Sequence, residues 1–156
     1  MTTFTTSREI EASIDQVFAA ISEPNRLARW WGPAGFTNTF HHCDFRPGGR
    51  WSFTMHGPDG QSYANENVFD EIAPPSKVVI RHVFEPKFSL AITLTASDKG
   101  TRVSWAQAFE DAHVAQRVES IVVPANEQNL DRLTAEVLRM FTATAEPHED
   151  VYSYNL

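Results

Sequence analysis

Apolar and polar residues alternate along the first stretch of the chain and then change to a helical period. Every second residue is weakly apolar over residues 4–12, which predicts a β-strand. A helix is predicted next, because Ser13 and Gln16 form a capping box ahead of apolar residues at helical spacing. Pro24 suits the first turn of a second short helix, which Gly32 ends.

Between Phe36 and Phe109 the pattern consists of short alternating runs that are separated by turn signals. Glycine and proline mark the turns, because glycine tolerates a positive φ and proline presets its own φ. These turn signals lie at residues 47–49, 57–60, 74–75 and 98–100. The region is therefore predicted to form six strands of a meandering antiparallel sheet.

A long amphipathic helix is predicted at the C-terminal end of the chain. Leu130, Leu133, Val137 and Phe141 form one apolar stripe, and charged residues occupy the other faces. Pro124 suits the first turn of this helix, and Pro147 follows its expected end.

These elements predict an α+β architecture in which a sheet of six to seven strands wraps around one long helix. One helix is too narrow to cover the whole apolar face of such a sheet. The remaining concave surface must be filled by large side chains, by the short helices or by a ligand, and we therefore expect a cavity. The 156 residues fit a single domain, with a core at about residues 4–145 and a tail at 146–156.

Composition and charge limit the partners that this domain is expected to have. A net charge of −7 argues against nucleic acid and against anionic membrane surfaces. No apolar run is long enough to cross a bilayer, and the N-terminus does not resemble a secretion signal. The single cysteine, Cys43, excludes an intramolecular disulfide. We therefore expect a cytoplasmic protein.

The densest polar stretch is residues 41–44, a His-His-Cys-Asp sequence. On a regular strand His41 and Cys43 would face one way, and His42 and Asp44 would face the other. Two ligands on each face do not form a metal site, and nothing nearby marks Cys43 as an activated nucleophile. Neither a metal nor another cofactor is expected.

Large rings and a few polar side chains on the inward registers are candidates for lining the cavity. The candidate ligand-binding residues are Trp30, Trp31, Phe36, Trp51, Phe53, Met55, Tyr63, Phe69, His82, Phe84, Trp105, Gln107, Leu130, Leu133 and Val137. His82 and Gln107 stand out, because each interrupts an otherwise apolar register. A histidine there is either a core residue with a partner or a general acid or base, which Glu71 or Tyr63 would assist.

Motifs along residues 6–140 resemble the activator-of-heat-shock-protein-ATPase-like branch of the START-like superfamily, also called helix-grip or birch-pollen-allergen-like. The stretches that carry the resemblance are "EASIDQVFAAISEPNRLARWWGPAGF", "RPGGRWSFTMHGPDG", "EIAPPSKVVIRHVF" and "QNLDRLTAEV". The resemblance implies a curved antiparallel sheet around a long C-terminal helix, with a hydrophobic cavity between them. Family members often carry a tryptophan where Asn126 stands and an aromatic residue where His82 stands.

Three functions follow from the resemblance and stay open. The first is binding of a small hydrophobic or amphipathic molecule of lipid, polyketide or aromatic type in the cavity. The second is an enzyme of the cyclase or aldolase type that uses the same cavity, with His82 as its only catalytic candidate. The third is a protein-interaction module that contacts a chaperone in the stress response. A homodimer is a further alternative, and the sequence does not decide whether the protein is an enzyme.

Overall fold

The computed structural model describes the backbone of residues 1–143 and the side chains of residues 1–139. The elements follow the predicted order of one strand, two short helices, six strands and one long helix. In chain order they are β1 (Thr2–Ile10), α1 (Ile14–Ser22), α2 (Pro24–Trp30), β2 (Thr37–Cys43), β3 (Arg50–His56), β4 (Ser62–Ala73), β5 (Lys77–His82), β6 (Phe88–Ser97), β7 (Gly100–Phe109) and α3 (Ala112–Ala143). The predicted tail at 146–156 and Pro147 lie outside the described residues.

Within residues 1–143, seven strands form one antiparallel sheet in the order β1-β7-β6-β5-β4-β3-β2. The helices α1 and α2 carry the chain from one edge strand, β1, to the other edge strand, β2. The predicted helix-grip fold is therefore confirmed. None of the helices formed by residues 1–143 combines the length and the apolar character that a membrane span requires.

The predicted capping box at the start of α1 is present. The Ser13 hydroxyl accepts a hydrogen bond from the Gln16 backbone N–H at 3.1 Å, and the Gln16 side chain accepts one from the Ser13 backbone N–H at 2.9 Å. These two bonds satisfy backbone donors that the first helical turn leaves open, and such a cap contributes about 1 kcal/mol. Pro24 begins α2 as predicted.

The long helix begins earlier than predicted. It starts at Ala112, and Pro124 lies inside it rather than in its first turn. Asp111 caps the helix, because its carboxylate accepts hydrogen bonds from the backbone N–H groups of His113 and Val114 at 2.8 and 3.3 Å. Proline has no N–H to donate, so the carbonyl of Ser120 loses its usual partner within the helix.

Strand β2 contains an irregularity that changes which residues face the core. Its pairing with β3 shifts register between Phe40 and His42, as in a β-bulge. The prediction that His41 and Cys43 share one face is therefore wrong. Cys43 packs against the core together with Phe40, while His41 and His42 are both exposed.

The core lies between the concave face of the sheet and α3. Leu130, Leu133 and Val137 of the predicted stripe are fully buried there, and its fourth member, Phe141, lies outside the described side chains. Burial of each such side chain contributes roughly 1.5–3 kcal/mol. The structure also answers which face of β4 points inward, because Asn67 and Phe69 are buried. The part of the core beside β4 therefore contains a polar side chain, that of Asn67.

Candidate ligand-binding site

Most of the candidate residues lie in the packed interior, and a few lie nearer the surface. Those that are buried are Trp30, Trp31, Trp51, Phe53, Phe69, His82, Trp105, Gln107, Leu130, Leu133 and Val137. Phe36 and Met55 are partly buried, whereas Tyr63 and Phe84 are exposed. The Tyr63 and Phe36 rings lie 6.3 Å apart. The candidates therefore divide into a buried group and a smaller group that solvent reaches.

Four tryptophans form the centre of the core, and we call them the tryptophan cluster: Trp30, Trp31, Trp51 and Trp105. The Trp31 ring lies 5.7 Å from Trp30, 4.8 Å from Trp51 and 6.2 Å from Trp105. The Trp30 indole N–H donates a hydrogen bond of 2.9 Å to the Ala20 carbonyl. Trp30 is thus anchored beneath α1, and Trp31 lies at the centre of the other three rings.

The indole N–H groups of Trp51 and Trp105 are buried, and no acceptor within the described chain reaches either of them. The Trp51 side chain is fully buried, and Trp105 is 2% exposed. A buried donor without an acceptor costs about 1–3 kcal/mol. The interior of the cluster therefore offers two hydrogen-bond donors in apolar surroundings.

A groove of about 1150 Å³ lies outside this core, between α2, β2 and the C-terminal part of α3. We call it the α2–β2–α3 groove. Its lining residues are Pro24, Asn25, Ala28, Arg29, the whole of β2, His56, Arg132, Ala135, Glu136 and Arg139. None of the residues predicted from the sequence to bind a ligand belongs to this lining.

Asn38 lies on the wall of the groove and joins β2 to the end of α2. Its amide nitrogen donates to the carbonyls of Ala28 and Trp31, at 3.0 and 2.8 Å. Its Oδ1 is buried, and no donor in the described residues reaches it. The ring of Phe40, two residues later, lies 5.4 Å from the Trp51 ring. Phe40 thus connects the groove with the tryptophan cluster.

A buried carboxylate surrounded by arginines forms another part of the wall. Glu136 is 5% exposed and accepts hydrogen bonds from Arg26 at 3.0 Å, from Arg29 at 2.9 and 3.0 Å, and from Arg139 at 3.2 and 3.3 Å. Burial acts to raise the pKa of Glu136, but the hydrogen bonds from these arginines together outweigh it and hold the pKa below its ordinary value. Glu136 is therefore ionised at neutral pH.

Arg132 holds the chain that forms the rim of the groove. Its guanidinium donates to five backbone carbonyls between Arg29 and Phe36, at distances of 2.8 to 3.2 Å. Burial lowers the pKa of Arg132. Gly32, with a φ of +102°, lies inside this segment, and a Cβ there would come within 2.8 Å of Met55. These contacts give the rim a fixed shape.

His82 lies in the interior with a polar partner. Its Nδ1 is 3.1 Å from Oδ1 of Asn67, and its ring stacks on Phe88 at 4.8 Å. Burial lowers the pKa of His82, which keeps the ring neutral. Because an amide oxygen can only accept, Nδ1 donates and Nε2 is the basic nitrogen of the ring.

Glu71 and Tyr63, the residues expected to assist His82 in catalysis, are both exposed. Glu71 lies 3.4 Å from Lys77 in an exposed ion pair, and Tyr63 is exposed at the start of β4. The second polar interruption, Gln107, accepts a hydrogen bond of 3.1 Å from Asn126 of α3. The amide at 126 thus supplies the partner that a buried glutamine requires. A catalytic role for His82 stays a prediction.

Sequence reasoning missed the residues that form the groove, above all Asn38, Phe40 and Glu136. One signal was available for the charged part of the wall. Arg132, Glu136 and Arg139 are separated by four and three residues, which places them on one face of a helix. Their proximity to Arg26 and Arg29 depends on how α2 packs against α3, which no periodicity reveals.

Several solved structures share this fold. A protein from Arthrobacter aurescens has a TM-score of 0.81 at 23% identity, over 88% of this chain and 86% of its own. A protein from Nitrosomonas europaea has a TM-score of 0.80 at 18% identity, over 88% and 95%. An AHSA1-like protein from Aeromonas hydrophila has a TM-score of 0.71 at 20% identity, over 89% and 94%.

A comparison with curated proteins finds no match to this sequence. The family model described as "Activator of Hsp90 ATPase homolog 1-like protein" matches residues 11–137, from the end of β1 to the buried stripe of α3. That range includes the tryptophan cluster and most of the groove. The chain belongs to the family of Activator of Hsp90 ATPase homolog 1-like proteins.

Proposed function

We propose that the protein binds a small amphipathic molecule in the α2–β2–α3 groove. The observation that carries this proposal is the groove itself, with its volume of about 1150 Å³ and its mixed lining. Sites for small molecules typically have volumes of roughly 300–1,000 Å³ and combine apolar walls with a few polar groups. The groove is therefore large enough for a ligand of drug or lipid-fragment size.

The two kinds of lining residue suggest how such a ligand would be oriented. Phe40, Ala28 and Ala135 provide apolar surface for its hydrophobic part. The polar part of the ligand would face the exposed His42 side chain, which belongs to the same lining. Trp51, a candidate residue of the interior, packs against the Phe40 ring on the side that faces the core.

A substitution that fills the groove tests the proposal. Ala135 is exposed and lines the groove, so Ala135→Phe adds a ring to the groove without disturbing the core. Gln116→Phe adds the same ring to an exposed position on the same helix that lies outside the groove, and it is the matched control. The measurement is fluorescence titration with the amphipathic probe 8-anilinonaphthalene-1-sulfonate.

We expect the wild type and Gln116→Phe to bind the probe with equal affinity, and Ala135→Phe to bind it at least about tenfold more weakly, a loss of about 1.4 kcal/mol. Equal binding by all three proteins would exclude the groove as the site. If Ala135→Phe weakens binding as expected, native mass spectrometry of protein purified from its own host, followed by denaturing extraction, would identify the natural ligand.

Contact with a chaperone is the second candidate function. The family description names activation of the Hsp90 ATPase. In this chain Ile121 and Val123 of α3 are 68% and 43% exposed, and exposed apolar side chains favour contact with another protein. The test is the ATPase rate of Hsp90 with and without the wild-type protein. Stimulation that Ile121→Ser abolishes would support this function, and an unchanged rate with the wild type would reject it.

A further inference from the structure

We propose that the edge strand β2 binds an extended, acidic peptide segment of another protein, which pairs with it as an additional strand along the α2–β2–α3 groove. Within residues 1–143, β2 is the last strand of the sheet and pairs only with β3. A strand in this position has a second row of backbone N–H and C=O groups, on the side away from its neighbour, that can pair with another chain. Peptides that bind by strand addition use such a row. This inference does not require that the groove also bind a small molecule.

The groove follows the open edge of β2. Successive side chains of a strand point to opposite faces of the sheet, so a groove on one face alone would be lined by every second residue. All seven residues of β2 line this groove. The groove must therefore reach the edge itself, where the two faces meet. Pairing with β3 is regular over residues 37–40, before the bulge, so a peptide has about four residues, or roughly 13 Å, to pair with.

The opposite edge of the sheet is protected in a way that β2 is not. Strand β1 carries the charged residues Arg8 and Glu9, and Arg8 forms ion pairs with Glu127 and Asp131 of α3 at 3.1 and 2.6 Å. Charged side chains on an edge strand, and a helix that covers it, both discourage pairing with other chains. Strand β2 contains no lysine, arginine, aspartate or glutamate. Of the two edges, β2 is therefore the one that can accept a further strand.

The charge of the groove indicates the chemistry of the partner. Arg29, Arg132 and Arg139 belong to its lining. Glu136 is the only carboxylate among the described lining residues, so with neutral histidines the lining has a formal charge of +2, whereas the whole chain has −7. Acidic side chains of a peptide beside β2 would complement this local charge. A second copy of this chain fits less well, because β2-to-β2 pairing would bring two positive grooves together.

The test follows amide hydrogen exchange of residues 37–40 by NMR in the full-length protein. The probe is the synthetic peptide acetyl-Thr-Glu-Val-Glu-Val-Glu-Thr-amide. We expect the amides of this stretch that do not bond to β3 to exchange rapidly in the free protein, and about tenfold more slowly with the peptide at ten times its Kd. Two control peptides should cause no slowing. One has lysine in place of each glutamate, and the other keeps the acidic side chains but has every backbone nitrogen methylated, so that it cannot donate to a strand.

Unchanged exchange at about 1 mM acidic peptide would overturn the proposal. Slow exchange in the free protein at every protein concentration would assign the edge to another segment of this chain, and slowing that grows with protein concentration would assign it to a second copy. Either result also overturns the proposal.

A pair of variants tests the acidic class of the partner. Arg139→Gln removes a charge from the groove and should weaken peptide binding about threefold, whereas Arg102→Gln removes one outside the groove and should not. Equal affinity of the two variants would reject an acidic partner. Binding of 8-anilinonaphthalene-1-sulfonate in the groove without peptide protection of β2 would overturn this inference and leave the proposed function standing. Peptide protection without binding of that probe would do the reverse.

Discussion

Replacement of the buried carboxylate, Glu136→Gln, should be among the most destabilising single changes in the described part of the protein. Arg26, which is 4% exposed, has Glu136 as its only carboxylate partner there, at 3.0 Å. Glutamine has nearly the same shape but no charge, so Arg26 becomes a buried cation without a counter-charge. Breaking a buried ion pair in this way costs about 3–5 kcal/mol. A domain of this size has a total stability of about 5–15 kcal/mol, so the loss is large.

The loss should also depend on pH, because the folded protein holds the pKa of Glu136 below its ordinary value of 4.5. A group with a lowered folded pKa stabilises the fold fully above its ordinary value, and this contribution is lost as the pH falls through the folded pKa. The difference in unfolding free energy between wild type and Glu136→Gln should therefore be complete at pH 7 and shrink below pH 4.5.

Urea unfolding followed by circular dichroism measures this difference, because urea is uncharged and does not screen the ion pair. The control is Glu66→Gln, which breaks the exposed pair with Arg50 at 2.9 Å and should change the stability little. The double variant Arg26→Leu/Glu136→Gln should recover part of the loss, since it removes the uncompensated cation. The reasoning fails if Glu136→Gln costs less than about 1 kcal/mol at pH 7, or if its cost is the same at pH 3.5.

Three further predictions concern other sites. Gly49→Ala should destabilise the protein by about 3 kcal/mol in urea unfolding, because its Cβ would lie 1.9 Å from the Asp44 carbonyl oxygen. The neighbouring variant Gly48→Ala should cost only about 1 kcal/mol, because its Cβ would meet no atom within 4 Å and only the φ of +81° is unfavourable. The reverse order would contradict the turn geometry. His82 should titrate below its ordinary pKa of 6.5 when its Cε1–H signal is followed by NMR, and a midpoint above 6.5 would show that the ring is not buried as described. Burial, with a smaller effect of Asp44, raises the pKa of Cys43 to about 11. Because the thiolate is the form that reacts, iodoacetamide at pH 8 should alkylate Cys43 in the folded protein at less than about one hundredth of its rate in urea.

The local pattern of the sequence was sufficient to predict the elements and their order. Alternation predicts the strands, the capping box at Ser13 predicts the start of α1, and the stripe from Leu130 to Val137 predicts the buried face of α3. These signals depend on neighbours within a few residues, which is why they can be read without the fold. The start of α3 was misplaced, because Pro124 resembles a first-turn residue and Asp111 is the actual cap.

Contacts between elements far apart in sequence determined the rest. The bulge in β2 decides that Cys43 rather than His41 packs against the core. The packing of α2 against α3 brings Arg26 to Glu136, across 110 residues of chain. The sequence analysis included Trp30 and Trp31 among the candidate ligand-binding residues. Only the tertiary structure shows that the Ala20 carbonyl anchors the Trp30 indole and that the Trp31 ring lies among the other three tryptophan rings, because a hydrogen-bond partner is defined by position in space and not by spacing along the chain.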